Sequence, residues 1–152
     1  GGKMSRKGRL NFDLFDLLNR NSFYKLDFPK SLNNETVRTE FIPLVDKFEA
    51  SVQDKLHTVV KHIAFQIAQT GKRQTGKRML VTGGGAHNNF LLDSIRKAGS
   101  FELIIPEEQL IDFKEALIFA FMGTLRHLGR NNCLASATGA RQNSSVGNIF
   151  YP

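Results

Sequence analysis

The seven residues Thr82-Gly83-Gly84-Gly85-Ala86-His87-Asn88 decide how this chain is read. The short apolar run Met79-Leu80-Val81 precedes them, and an amphipathic run over residues 90–98 follows. That order reads as strand, glycine turn, helix. Glycines without Cβ atoms let a turn take dihedrals closed to other residues and let its backbone come close to a ligand. A helix that begins just beyond such a turn directs N–H groups and a partial positive charge at the same spot. The combination suits a phosphate or a nucleoside lying across the turn. A tight connection without a ligand is the competing reading, and glycines alone do not choose between them.

Working outward, residues 78–82 and 101–105 read as strands flanking a helix over residues 88–98, with Gly99 expected as its left-handed terminating residue. Asp112 is expected to open a last long helix that turns Phe113, Leu117, Ala120, Phe121, Thr124 and Leu128 inward and stops at Gly129. Upstream, Asn11 is a helix cap before Phe12, Phe15 and Leu18, and that helix stops near Asn19-Arg20-Asn21. Residues 22–34 read as loop, with Pro29 fixing the backbone. Helical pattern resumes near Glu35, shortened or bent by Pro43. The strongest helix runs from a Ser51 cap to Gly71, with Val52, Leu56, Val59, Val60, Ile63 and Ile67 in one apolar stripe expected to face a core. Residues 130–152 read as loop with a short extended end.

The expected fold class is therefore α/β: one domain over residues 1–152, helical over 11–70, β-α-β-α over 78–128, then a tail over 130–152. A β-α-β unit should be parallel. Two strands alone do not make a stable sheet, so the sheet reads as incomplete. Its other strands are expected upstream or in a second copy of the chain.

The 152 residues carry a formal net charge of +7, 41% hydrophobic residues and one cysteine, Cys133. A lone cysteine forms no internal disulfide, which fits a cytoplasmic protein. No run approaches the ~20 apolar residues of a membrane helix, and no signal peptide is visible. The start lacks an initiator methionine, which fits a piece of something longer. Basic residues concentrate in residues 3–9 and around 72–78, both read as solvated loops. No basic helix face or interleaved aromatic set accompanies them, which argues against nucleic-acid and membrane partners.

Other motifs are weaker. Residues 71–78 nearly spell a phosphate-binding loop, but Arg78 replaces the required hydroxyl and the segment runs from helix to strand, the reverse of the needed order. Gly83-x-Gly85-x-x-Asn88 approaches a dinucleotide fingerprint with its last glycine replaced, and Glu107 is placed where it could meet a ribose. This is the second reading. His57 and His62 are five residues apart with no cysteine or carboxylate cluster beside them, so no metal site is expected. Asp112-x-x-Glu115 reads first as a capping box.

Three stretches belong together: LVTGGGAHNNFLLDSI, DFKEALIFAFMGTLRHLG and ATGARQNSSVGNIFYP. With GGKMSRKGRLNFDLFDLLNRNSFYKLDFPKS upstream, they resemble the carboxyl-terminal half of the anhydro-N-acetylmuramic acid kinases, along essentially the whole chain. The resemblance implies part of an actin-like (ribonuclease H-like) ATPase domain of the sugar-kinase and heat-shock ATPase superfamily. It implies a cytoplasmic bacterial enzyme of cell-wall recycling. Such an enzyme uses ATP, Mg2+ and water to open and phosphorylate 1,6-anhydro-N-acetylmuramic acid, giving N-acetylmuramic acid 6-phosphate. By the resemblance Gly83, Gly84, Gly85 and Asn88 fall on the nucleotide turn, and Glu115 on an acidic position facing the sugar. Thr138, Gly139 and Ala140 match a T-G-A tail near the nucleotide or the domain hinge. Where the family has K-S-T-G-R this chain reads Lys30-Ser31-Leu32-Asn33-Asn34. The family's phosphate loop and its D-T-G-P-G-N motif, source of the general base, are absent, so no catalytic residue is assigned here. A non-catalytic module that dimerises through an uncovered apolar face is the alternative.

Overall fold

The computed structural model describes residues 1–27, 30–72 and 78–150. Pro29, the centre of the basic 71–78 segment, and Tyr151 of the extended end lie outside the described residues. The spine is α5, Val52–Lys72, which starts as expected: Ser51 Oγ accepts from the Asp54 amide at 3.1 Å. The helix runs one residue past Gly71.

Its apolar stripe faces the core only in part: Val60 is buried and Val59 packs against the cluster of Leu14, Leu18 and Phe41. Val52 is 63% exposed, and Leu56 and Ile63 are each 39% exposed. The buried positions are Thr58, Val60, His62, Ala64 and Ala68. The reason lies in the neighbours. Three helices, α1 (Lys3–Lys7), α2 (Phe12–Asn19) and α6 (Asn89–Ala98), pack on α5.

Residues 3–7 were expected to be a solvated basic loop; they form α1 instead. Arg6 donates to Asp93 Oδ2 on α6 at 2.6 Å and lies over the Phe90 ring, 5.2 Å from its centroid. That guanidinium holds the Asp93 carboxyl below the usual range. Basic composition thus hid a helix whose charge is used against α6.

In α2, Asn11 caps as expected, its side chain accepting from the Leu14 amide at 3.0 Å. Leu14 and Leu18 are buried against Phe41, whereas Phe12 is exposed. A 3-10 turn at Ser22–Lys25 follows. Then α3 (Asn34–Thr36), a π segment (Val37–Phe41) and α4 (Ile42–Lys47) form one bent rod. The Ile42 amide reaches the Val37 carbonyl, five residues back. Pro43 has no N–H to continue an ordinary ladder, and a π register next to it is one way to accommodate that loss.

β1 (Arg78–Leu80) pairs parallel with β2 (Glu102–Ile104), Met79 opposite Leu103. They form a two-stranded sheet among the described residues. The architecture is helix-rich with this short parallel pair. Gly99 ends α6 in extended backbone (φ −112°, ψ 159°), not the left-handed form expected. It is glycine for another reason: a Cβ there would run into the Phe101 ring, and one at Gly71 would come 2.5 Å from Phe101 Cε1. The ring is wedged between the two glycines, joining the end of α5 to the end of α6.

α7 (Glu108–His127) departs most from expectation. Phe113, Leu117, Phe121 and Leu128, expected inward, are each 58–63% exposed, and Ile111 is the residue of this helix that is buried. A two-stranded sheet presents too little surface to cover a helix of this length. The C-terminus of α7 is a regular Schellman stop: Arg130 N–H donates to Leu125 O at 2.9 Å and Gly129 N–H to Arg126 O at 3.1 Å, with Gly129 at φ 67°. The tail folds on itself through a Cys133–Ser144 bridge and α8 (Ala135–Thr138). Asn132 Nδ2 donates to the carbonyls of Met122 and Val146.

Candidate functional site

The glycine turn is open on one side and anchored on the other. The Val81 N–H donates to Ile104 O at 2.9 Å, so the sheet holds the chain up to the turn. Gly83 follows at φ 77°, ψ −178°, backbone that side-chain-bearing residues rarely adopt. Cβ atoms built at Gly83 or Gly84 would meet nothing within 4 Å, and one at Gly85 would meet only Leu91 Cδ2 at 3.8 Å. Inward, Ala86 and Phe90 are buried. The Ala86 N–H donates to Gly83 O at 2.9 Å and the Asn88 N–H to Gly85 O at 3.0 Å.

The expected direct passage from turn to helix is modified. A 3-10 turn, Gly84–His87, lies between the triplet and α6. Asn88 is the N-cap of α6, its Oδ1 accepting from the Leu91 amide at 3.1 Å. Of the four residues expected at a ligand, the three glycines form the rim, while the Asn88 carboxamide oxygen is engaged by the helix.

Two polar contacts that sequence reasoning missed tie this turn to α7. Lys114 Nζ donates to Thr82 Oγ1 at 2.8 Å. His87 Nε2 lies 3.6 Å from Asp112 Oδ1. The capping-box reading of Asp112 and Glu115 is corrected here: Glu107 is the N-cap, and Asp112 lies in the second turn beside His87. Pro106 ends the preceding strand, and helix begins as soon as the chain has cleared it. The run Pro106-Glu107-Glu108 was the signal for this start, because acidic residues favour a first turn. Glu115 is exposed on α7. Thr138-Gly139-Ala140 closes α8, with Gly139 at φ 73°. The tail engages α7 near Arg126, which donates to Gly147 O at 2.9 Å, and the glycine turn engages it at Lys114. These points are roughly 18 Å apart along a regular helix.

A second cluster lies away from the turn. His62 is buried among Phe15, Tyr24 and Phe41. Asn19 Nδ2 donates to Phe15 O at 2.8 Å, which fixes its amide so that Oδ1 faces His62 Nδ1 at 3.1 Å and Gln66 Nε2 at 2.6 Å. Nδ1 of His62 therefore carries the proton, and Nε2 accepts from the Tyr24 hydroxyl at 2.8 Å. Burial pushes the His62 pKa down to about 4 and that of Tyr24 up to about 12. An open cleft of about 580 Å³ runs beside this cluster, between Phe23, Tyr24, Lys30 and the Ile63–Gln66–Thr70 face of α5.

For magnesium the fit is poor within this chain. Among the described residues no group of three or more His, Cys, Asp or Glu side chains comes together. A metal arriving with ATP would rely on phosphate oxygens, water and carboxylates other than these. Among the described residues no helix is long and apolar enough to cross a membrane.

Comparison with known proteins agrees with the motifs. The family model described as anhydro-N-acetylmuramic acid kinase matches residues 1–152. The anhydro-N-acetylmuramic acid kinase of Rhodococcus erythropolis is 30% identical over 154 residues, which cover 98% of this chain and 39% of that protein. The proteins of the same name from Hahella chejuensis and Bacillus cereus are 29% and 28% identical, over 99% of this chain and 42% and 43% of their own lengths. The chain thus spans about two-fifths of the curated relatives it matches. Matched along its whole length, it belongs to the anhydro-N-acetylmuramic acid kinase family.

Proposed function

We propose that this chain is the nucleotide-binding carboxyl-terminal lobe of a cytoplasmic, ATP-dependent kinase. That kinase would hydrolyse and phosphorylate 1,6-anhydro-N-acetylmuramic acid to N-acetylmuramic acid 6-phosphate. In this reading residues 1–152 form one lobe of an actin-like ATPase fold, and Gly83, Gly84 and Gly85 line the nucleotide, with Asn88 behind them. Glu115 faces the sugar across the completed cleft. One observation carries the proposal: in a chain of this family, the rim at Gly83 and Gly84 is bare, with no atom other than those of the adjoining residues within 4 Å of where a side chain would start.

Phosphoryl transfer is mostly positioning and charge stabilisation. This lobe would position the nucleotide. The general base, the phosphate loop and the carboxylates for Mg2+ would come from the portion of the family protein that this chain does not span. The lobe alone should therefore not turn over the anhydro-sugar.

The test is an ATP titration of the chain against Gly84→Val. Gly84 faces open space and lies outside the positive-φ region, so the valine should fold normally. Its side chain would stand where the nucleotide lies. We expect affinity to fall about tenfold or more, a loss of about 1.4 kcal/mol. Equal affinity in both proteins would remove the turn from the site.

A second reading, a non-catalytic module that self-associates, draws on the exposed apolar residues of α7. Light scattering separates it from the first: a stable dimer supports the module, a monomer the lobe.

A further inference from the structure

We infer that Lys114 of α7 is the phosphate-recognising residue of the glycine turn: its ammonium makes the site select a phosphorylated nucleotide over the uncharged nucleoside. The inference rests on the proposed reading of the turn as a nucleotide site, and it names which part of the ligand that site reads and with what charge.

The turn offers donors but no full charge of its own. Among the described residues the N–H groups of Gly83, Gly84 and Gly85 donate to no protein acceptor, while those of Ala86, Asn88 and Leu91 are taken up within the turn and by the cap of α6. Consecutive backbone N–H groups left unused at a bare rim suit an anion. Neutral donors also serve the hydroxyls and ring acceptors of a nucleoside. A cationic donor is the stronger partner for phosphate.

Lys114 supplies that charge beside the first of these glycines. Its Nζ donates to Thr82 Oγ1 at 2.8 Å, and Thr82 directly precedes Gly83. Covalent geometry then puts the ammonium within roughly 7 Å of the Gly83 nitrogen. That is inside the range over which salt leaves charges coupled.

Nothing on its own helix neutralises this charge. The residues three and four positions away, Leu110, Ile111, Leu117 and Ile118, are apolar. Asp112 projects roughly 160° from Lys114 around the axis and lies 3.6 Å from His87 Nε2 instead. The ion pairs among the described residues are Arg6–Asp93, His87–Asp112 and Arg96–Asp93, so Lys114 stands outside them. A contact that only held the turn to α7 would need a donor, not a charge. The half-buried ammonium gives one N–H to a neutral hydroxyl and keeps two. A phosphate oxygen is the acceptor that both uses them and balances the charge.

The experiment titrates adenosine, AMP and ADP, without divalent metal, into the wild-type chain, Lys114→Met and Lys114→Arg. It follows the amides of Gly83, Gly84 and Gly85 by NMR. Methionine removes the charge and arginine keeps it. We expect the wild type to bind ADP about tenfold or more tighter than adenosine. Lys114→Met should lose about tenfold in ADP affinity while adenosine changes less than about twofold. Lys114→Arg should bind ADP within about threefold of wild type. Added salt should weaken ADP binding to the wild type more than to Lys114→Met. Ligand-free spectra of both variants should keep the glycine amides at their wild-type positions, which separates loss of a charge from loss of the turn.

An ADP affinity unchanged in Lys114→Met overturns the inference. So does an equal loss for adenosine and ADP, which marks Lys114 as a brace for the turn. The Gly84→Val titration tells the two readings apart. If Gly84→Val weakens ATP binding while Lys114→Met leaves ADP binding unchanged, the turn remains the nucleotide site and Lys114 is not its phosphate contact. Binding indifferent to both substitutions, or no binding at all, rejects the turn along with the inference.

Discussion

Gly83 and Gly84 are neighbours with different reasons for lacking a side chain. Both face open space, but Gly83 alone of the two has positive φ. Gly83→Ala should therefore cost about 1–3 kcal/mol of stability through strain in a positive-φ, extended backbone that glycine alone adopts readily. Gly84→Ala should stay within about 0.5 kcal/mol. Urea unfolding of both variants checks this, and equal losses would mean that the turn is not built as described. The sequence made the triplet visible but could not say which glycine serves the backbone and which leaves room.

His62 makes a further residue-level prediction. Its folded pKa of about 4 lies below the ordinary 6.5, so the unfolded chain takes up a proton first as pH falls. Stability is complete above about pH 6.5 and declines towards pH 4. Between about pH 7.5 and about pH 5, where ordinary carboxylates stay charged, the loss should be about 2 kcal/mol. It should disappear in His62→Gln. A wild-type curve flat across that window would contradict a neutral, buried imidazole. The sequence left His62 looking idle, because its partners Tyr24 and Asn19 lie 38 and 43 residues away. Only the fold brings them together.

At the scale of elements, local signals were legible where the controlling contacts are local. Asn11 and Ser51 each cap a helix through an amide three residues on, as read, and Asn88, read as a ligand residue, does the same. Gly129 ends α7 by the expected backbone geometry. Faces were less legible than elements, because a face is chosen by neighbours. The stripe of α5 has the right period, yet Val59 and Val60 of it face the core while Val52, Leu56 and Ile63 stay exposed. Gly99 shows the same limit: its place after α6 was readable, and its close approach to Phe101 was not. Gly99→Ala must displace that ring and should destabilise by about 1–3 kcal/mol. A thermal or urea midpoint unchanged from wild type would show that Phe101 is not wedged between Gly71 and Gly99.

At the scale of the molecule, the sequence argued that two strands and several helices do not complete a sheet, and α7 makes that incompleteness concrete. The inward face assigned to Phe113, Leu117 and Phe121 is not buried in this structure. Among the described residues they stay 59–63% exposed. Burial of each such side chain is worth roughly 1.5–3 kcal/mol, so a body that covers α7 stabilises the whole lobe. The same covering would hold Asp112 and Lys114 against the turn, which links assembly of the lobes to the geometry of the nucleotide rim.

The central claim, that nucleotide lies across the glycine triplet, is tested most directly by residue-resolved NMR during an ATP titration of this chain. Nucleotide bound there gives saturable shifts in the amides of Gly83, Gly84 and Gly85, fading by the middle of α6. Saturable shifts confined to the Tyr24–Gln66 cleft, with the triplet unmoved, would place the ligand elsewhere and contradict it.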